Sequence, residues 1–200
     1  MPKISDARRD QRRQQILEAA WKCFEREGLH ATTMQDIIRA CGLSAGAVYG
    51  YFRTKDDLIM QAVVESLSSL RARLAPVLAE RPRPDFLLCQ VCREISDFAR
   101  REGYDLRRIA LLGWAEAQRN PVLRSTMQSY YGEFRQALRR LASGWREAGF
   151  VASDAEDDLT AKVVLAAILG FVVQSALLGD VDAKSFSKGF AGLSTGPARG

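Results

Sequence analysis

Histidine is nearly absent from this chain: His30 is the only one in 200 residues. A histidine-built metal site is therefore out of reach, and a serine–histidine nucleophile has a single candidate base. Of four cysteines only Cys89 and Cys92 stand close together. A tetrahedral site needs four ligands and no second pair lies near, so no metal and no cofactor is expected. Helical phase puts Cys92 in an apolar stripe, which favours small core residues over the alternative, a thiol-sensing pair. The N-terminus is polar through Gln15, so no secretory leader is read and the thiols are expected to be reduced, in a cytoplasmic protein. Long apolar runs are missing as well. Val163 to Leu178, sixteen residues broken by Gly170, Gln174 and Ser175, falls short of the roughly 20 that span a bilayer. Nor is charge abundant: the net is +5, and residues 1–55 hold ten Lys or Arg against six Asp or Glu, a surplus that Asp56 and Asp57 at once reduce. That balance is compatible with nucleic acid without requiring it.

What is present centres on residues 33–55. Thr33 has the character of an N-cap, and Ile37 and Ile38 form the apolar face of the short helix behind it. Gly42 can take the left-handed conformation that ends that helix, and Leu43 can plug the angle that follows. Ser44 caps a second short helix, Ala45 to Tyr51, in which only Val48 and the following Phe52 look buried. The remaining side chains are small or polar-tipped, so the helix stays narrow where it would meet a wide groove. Thr54 and Asp57 begin a third helix as a capping box. Two helices meeting at a glycine in this way predict a helix-turn-helix.

Gly42-Leu-Ser44-Ala-Gly46 also fits the G-x-S-x-G nucleophile elbow, which needs a strand before the serine. An amphipathic helix stands there instead, and His30 precedes Ser44 where that hydrolase order puts it last, so no enzyme is expected.

The run Arg13 to Leu17, Ala19-Ala20, Phe24, Gly28, Ala31 to Met34, Asp36 to Ile38, Gly42 to Ser44, Gly46, Val48-Tyr49, Tyr51-Phe52, Lys55 and Leu58 closely resembles the DNA-binding domain of the TetR family of bacterial transcriptional regulators. The likeness covers about a quarter of the chain; beyond it only length and helical character agree. By resemblance, Tyr49 and Lys55 are DNA-backbone contacts.

The expected fold is all-α. Residues 1–55 are read as the DNA-binding head, 56–192 as a helical effector-binding and dimerisation domain, and 193–200 as a disordered tail. Met1 to Asp10 is read as a flexible arm with Lys3, Arg8 and Arg9, the basic run continuing through Arg12 and Arg13; it is either solvated or laid along DNA. The first helix runs from Gln11 to Glu27 and closes at Gly28. A long helix from Lys55 carries Ile59, Val63, Leu67, Leu70 and Leu74 at spacings of four and three, ending between Pro76 and Pro82. Further helices are read at 85–101, 106–119, 122–148, 154–178 and 183–190, with no strand. The helix over 154–178 is apolar nearly all round, so its free side and the last helix are expected to meet the same pair in a second copy.

Direct base readout falls to Ser44, Ala45 and Ala47, with Gly46 allowing close approach. Thr33, Tyr49, Tyr51 and Lys55 are assigned to phosphates, Tyr51 having core packing as its alternative and Arg39 and Arg53 being secondary candidates. One short helix reads few bases, so a dimer on a palindromic operator is expected. The family resemblance implies a small-molecule effector among the middle helices that relieves repression. The expected walls are Phe98, Leu112, Trp114, Met127, Tyr131, Phe134 and Phe171, with Glu116 and Gln174 as polar groups. Glu116 is either a receptor for a cationic ligand or an exposed carboxylate beside Arg119. The rival to this reading is an architectural, effector-independent DNA-binding protein, which the modest charge and the large apolar domain disfavour.

Overall fold

The computed structural model describes residues 6–194 and is helical almost throughout. Helix α1 spans Asp6–Ala31, α2 Met34–Cys41, α3 Ala45–Tyr51 and α4 Lys55–Ala79. Then come α5 (Pro84–Ala99), a two-residue hairpin of β1 (Arg100–Arg101) and β2 (Tyr104–Asp105), α6 (Leu106–Ala117), α7 (Pro121–Glu147), α8 (Asp157–Leu177) and α9 (Ala183–Ser194). Residues 6–10 of the expected arm are thus helical, because the segment simply extends α1. Lys3 and the tail beyond Ser194 lie outside the described residues. Leu193 and Ser194, expected in that tail, close α9 instead.

Local chemistry explains most boundaries. Gly28 takes φ 82° and breaks α1 one turn before its end, as its missing Cβ permits. α4 continues past Pro76 to Ala79, because a proline in the last turn costs only the donor for the Ala72 carbonyl. The chain then reverses at Arg81, which sits at φ 49°, before α5 starts on Pro84. The unexpected strands Arg100–Arg101 and Tyr104–Asp105 pair antiparallel around Gly103, whose φ of 88° closes the tight turn.

Two large apolar cores result among the described residues, with a third, small cluster of Ala117, Leu123 and Met127 beside them. The first joins α1, α2, α3 and the first two turns of α4 around Phe24, Ile37, Val48, Phe52 and Leu58, and it also receives Ile109 of α6. The second joins the end of α4 to α5, α7 and α8 through Leu74, Leu88, Leu138 and Ile168. The Trp145 indole donates to the Pro82 carbonyl at 2.8 Å, fixing α7 to the α4–α5 turn, and Arg146 pairs with Asp157 at 3.0 Å to set α8 against α7. α8 has 21 residues and is long and apolar enough to cross a bilayer, so the length argument made from its sixteen-residue run does not hold. One side of it is buried in the second core, through Ala161, Val164, Ile168 and Val172.

Candidate DNA-reading face and effector cavity

The reading face is assembled by caps. The Asp36 amide donates to the Thr33 hydroxyl at 3.2 Å, and the Thr33 amide and hydroxyl donate to the Asp36 carboxylate at 3.0 and 2.6 Å. Those bonds, the hydroxyl's first, hold the Asp36 carboxyl below its ordinary range. Gly42 ends α2 at φ 68° and Ser44 caps α3, accepting from the Ala47 amide at 3.3 Å. Val48 and Phe52 are fully buried beneath α3. Ser44, Ala45, Gly46, Tyr49 and Gly50 face outward, Ala47 is half-buried, and a Cβ at Gly46 would meet no atom within 4 Å. Thr33 is exposed, although its hydroxyl already serves the capping box. Tyr51 is half-buried against the first core.

Lys55 differs from the others assigned to phosphates. Its ammonium donates to the carbonyls of Leu29, His30 and Thr32 at 3.0, 3.0 and 2.9 Å, which occupies all three of its protons. A lysine opening a helix after an acidless turn reads from sequence as a surface charge; only the folded chain shows that the end of α1 lies beside it. Arg13 likewise bridges to Glu65 of α4 and lies over the Phe52 ring, 5.7 Å from its centroid, so it ties helices together. Arg8, Arg9, Arg39 and Arg53 are exposed.

Between the two cores is a cavity of about 140 Å³ walled by α1, α4, α5, α6, α7 and α8. Phe98, Trp114, Met127, Tyr131 and Phe134 of the expected set line it. The other four do not. Leu112 packs into the first core, Phe171 is fully buried against Phe186 with ring centroids 5.4 Å apart, and Gln174 is exposed on α8. Glu116 turns toward the head, its Oε2 3.1 Å from His30 Nε2 and 3.7 Å from Arg119. Helical phase alone cannot separate the two sides of α6, since one faces the head and the other the cavity.

Sequence reasoning missed Trp21 of α1 as a wall residue, together with Leu67 and Leu70 of α4, Ala110 and Arg107 of α6, and Tyr130. Their apolar periodicity was visible, but which core they served was not. Trp21 stands in the first core and on the cavity wall at once. The Trp114 indole donates to the Tyr131 hydroxyl at 2.8 Å, and burial raises the Tyr131 pKa, keeping that phenol protonated. Arg107 is held by Asp105 through contacts of 2.6 and 3.1 Å. α6 is also fastened to α1: Glu25 accepts from the Asp105 amide at 2.5 Å and from Arg108 at 3.2 Å.

The cysteines are free thiols among the described residues, with Cys92 fully buried and its pKa pushed up to about 12 by burial, then by Cys89 beside it. Such a thiol is not the ready nucleophile that a sensor needs. Ser44 sits between two helices with no strand before it, and the described residues contain no cluster of three or more His, Cys, Asp or Glu able to hold a metal.

Comparison with known proteins agrees with this architecture. Residues 16–62 match the family model for bacterial regulatory proteins of the tetR family, and residues 88–187 match that for the C-terminal part of BetI-type transcriptional repressors. The regulator UidR of Escherichia coli is 21% identical over 176 residues, 88% of this chain and 84% of that one. Some other curated relatives are matched over only about a third of their length. Among solved structures, a transcriptional regulator from Saccharomonospora viridis in complex with choline superposes with a TM-score of 0.75 at 22% identity, over 92% of this chain and 95% of its own. FadR from Bacillus subtilis in complex with stearoyl-CoA gives 0.73 at 18% identity, over 90% and 96%. With a helix-turn-helix head matched over residues 16–62 and a helical second part matched over residues 88–187, half of the chain, the chain is a DNA-binding transcriptional regulator of the TetR family and not an enzyme.

Proposed function

We propose that the protein is a homodimeric repressor that binds a palindromic operator and lets go when a small molecule fills the cavity between its two cores. The observation that carries this reading is the composition of that wall. Trp21 belongs to the helix that buttresses the head, Leu67 and Leu70 to the helix that leaves it, and Ala110 and Trp114 to the helix fastened across α1. A ligand that changes the packing of these side chains acts directly on the elements that set the head's angle. The solved relatives holding choline and stearoyl-CoA support effector binding in this fold.

For operator contact, Ser44, Ala45 and Ala47 read base edges, with Gly46 giving clearance, while Thr33, Tyr49 and Tyr51 hold phosphates and Arg39 and Arg53 supply charge. Lys55 acts through the angle between α1 and α4 and meets DNA only if it gives up its internal carbonyls. The dimer contact uses α8 and α9. Leu159, Val163 and Leu177 are 51%, 60% and 66% exposed, and with Ala166 and Gly170 they form one stripe at helical spacing. A contiguous apolar stripe flanked by small residues suits a two-fold helix pairing.

The test is binding to the DNA flanking the protein's own gene, titrated at two salt concentrations against random DNA, with the mass measured by light scattering. Saturable binding of a dimer to one palindromic segment supports the proposal. Equal binding to both DNAs that collapses with salt supports the architectural reading instead.

A further inference from the structure

The cavity reading above leaves the chemistry of the ligand open, and the wall narrows it. Among the described residues Arg107 is the only charged side chain on the wall, and both its Nε and one terminal nitrogen are spent on Asp105, so the pair brings no net charge. No carboxylate among the described residues lines the space; Glu116, on the same helix as Trp114, is turned away to His30 and Arg119. A cation would find only ring faces, next to a guanidinium, and an anion would meet an arginine already neutralised. The rings would return part of the loss to a desolvated cation, but with no carboxylate to pair with it and a guanidinium close by, either ion would lose more in hydration than it regains. Five other aromatic rings besides Trp114 face the space, which suits a flat apolar molecule.

Size is informative too. About 140 Å³ is close to the roughly 150 Å³ of an apolar cavity that accepts benzene. Of the hydroxyls on the wall, those of Ser66, Tyr130 and Tyr131, the one held in place by another wall residue is that of Tyr131. Tyr131 accepts from the Trp114 indole, which fixes the phenol, and its own hydroxyl proton has no acceptor among the described residues. A ligand oxygen can take that proton.

We propose that the cavity binds a small uncharged molecule of about one aromatic ring, with a single hydrogen-bond acceptor that meets the Tyr131 hydroxyl. It follows that the chain discriminates against quaternary amines such as the choline held by its structural relative, despite the BetI-type match of its second part. The inference rests on the cavity being the effector site.

Intrinsic fluorescence offers the readout, because two of the three tryptophans, Trp21 and Trp114, line the cavity. The full chain without DNA is titrated with four probes of similar size: 4-ethylphenol, ethylbenzene, 4-ethylbenzoate and phenyltrimethylammonium. The expected result is saturable binding of 4-ethylphenol, at least about tenfold tighter than either charged probe. Its advantage over ethylbenzene should be about fivefold and should disappear in Tyr131→Phe. Ala110→Phe, which fills the space, should abolish binding of both neutral probes while leaving the helical circular dichroism intact. Equal or tighter binding of a charged probe overturns the proposal, as does failure of all four to bind; neither result depends on a variant folding. A separate operator titration tests the underlying reading: neutral probes that bind without weakening operator affinity would sustain the ligand class and overturn the effector role.

Discussion

The Lys55 ammonium lies 2.9 Å from the Thr32 carbonyl oxygen, and it shares its other protons with Leu29 and His30. A cation at the C-terminal end of α1 complements the helix dipole and satisfies carbonyls that the break at Gly28 leaves without helical donors. It also pins the first residue of α4 to the last turn of α1. Lys55→Met should therefore lower unfolding free energy by about 1–3 kcal/mol, the usual range for losing charge-assisted hydrogen bonds, and weaken operator binding as the head loosens. Urea denaturation alongside DNA titration decides the matter. Unchanged stability with lost DNA binding would mean that Lys55 serves phosphates after all.

Gly46 permits a cleaner separation of fold from function. A Cβ there meets nothing within 4 Å in the free protein, so Gly46→Ala is sterically free and should raise stability by up to about 1 kcal/mol through helix propensity. Gly46→Leu is also expected to fold, with a thermal midpoint within a few degrees of the parent, yet to lose specific operator binding as the branched side chain holds α3 off the groove. Normal binding by the leucine variant would remove Gly46 from the interface.

These two positions also show what a single sequence conveys. The caps at Thr33, Ser44 and Thr54 and the left-handed Gly42 are local devices, each complete within a few residues, and all were legible in the sequence. Lys55 was not, because its partners lie 23 to 26 residues earlier and only tertiary packing brings them near. The same holds for α6. Its apolar residues announce a helix, but Ile109 serves the head core and the cavity at once, Trp114 the cavity and Glu116 His30, and no periodicity sorts such destinations on one short helix. Met127 and Tyr131 line the cavity because α7 has one apolar side and that side meets it.

Acid should weaken the fold by an identifiable route. Hydrogen bonds from Thr33 depress the Asp36 carboxyl, and the hydrogen bond from Arg146 depresses that of Asp157. At Asp105 burial pushes upward, but the Arg107 bonds outweigh it and the net shift is down. A carboxyl with a depressed folded pKa contributes its stability fully above its unfolded value, about 3.9, and loses it as pH falls through the folded value. Unfolding free energy should thus receive a level contribution from these groups between pH 5 and 7, on the order of one unit above that value, and decline below about pH 4. Equilibrium denaturation across that range checks the sign. In Asp36→Asn the acid decline should be shallower; an unchanged slope would place the acid sensitivity elsewhere.

The coupling between cavity and head should pass through Ile109. This side chain is 4% exposed, belongs to the first core with residues of α1, and lines the cavity together with Ala110 and Gly113. Ile109→Ala should cost about 2–4 kcal/mol of stability, the ordinary penalty for emptying such a site. Its more telling effect concerns linkage. If α6 carries the ligand's influence to α1, truncating the contact should shrink toward one the factor by which a bound probe weakens the operator complex, whatever change the enlarged wall makes to probe affinity for the isolated protein. Because coupling free energy is reciprocal, operator DNA should equally lose its effect on probe affinity. Measuring both arms of that cycle separates coupling from mere destabilisation, which would lower operator affinity with and without probe alike. Retention of the full factor in Ile109→Ala would shift the route to Trp21 and α4.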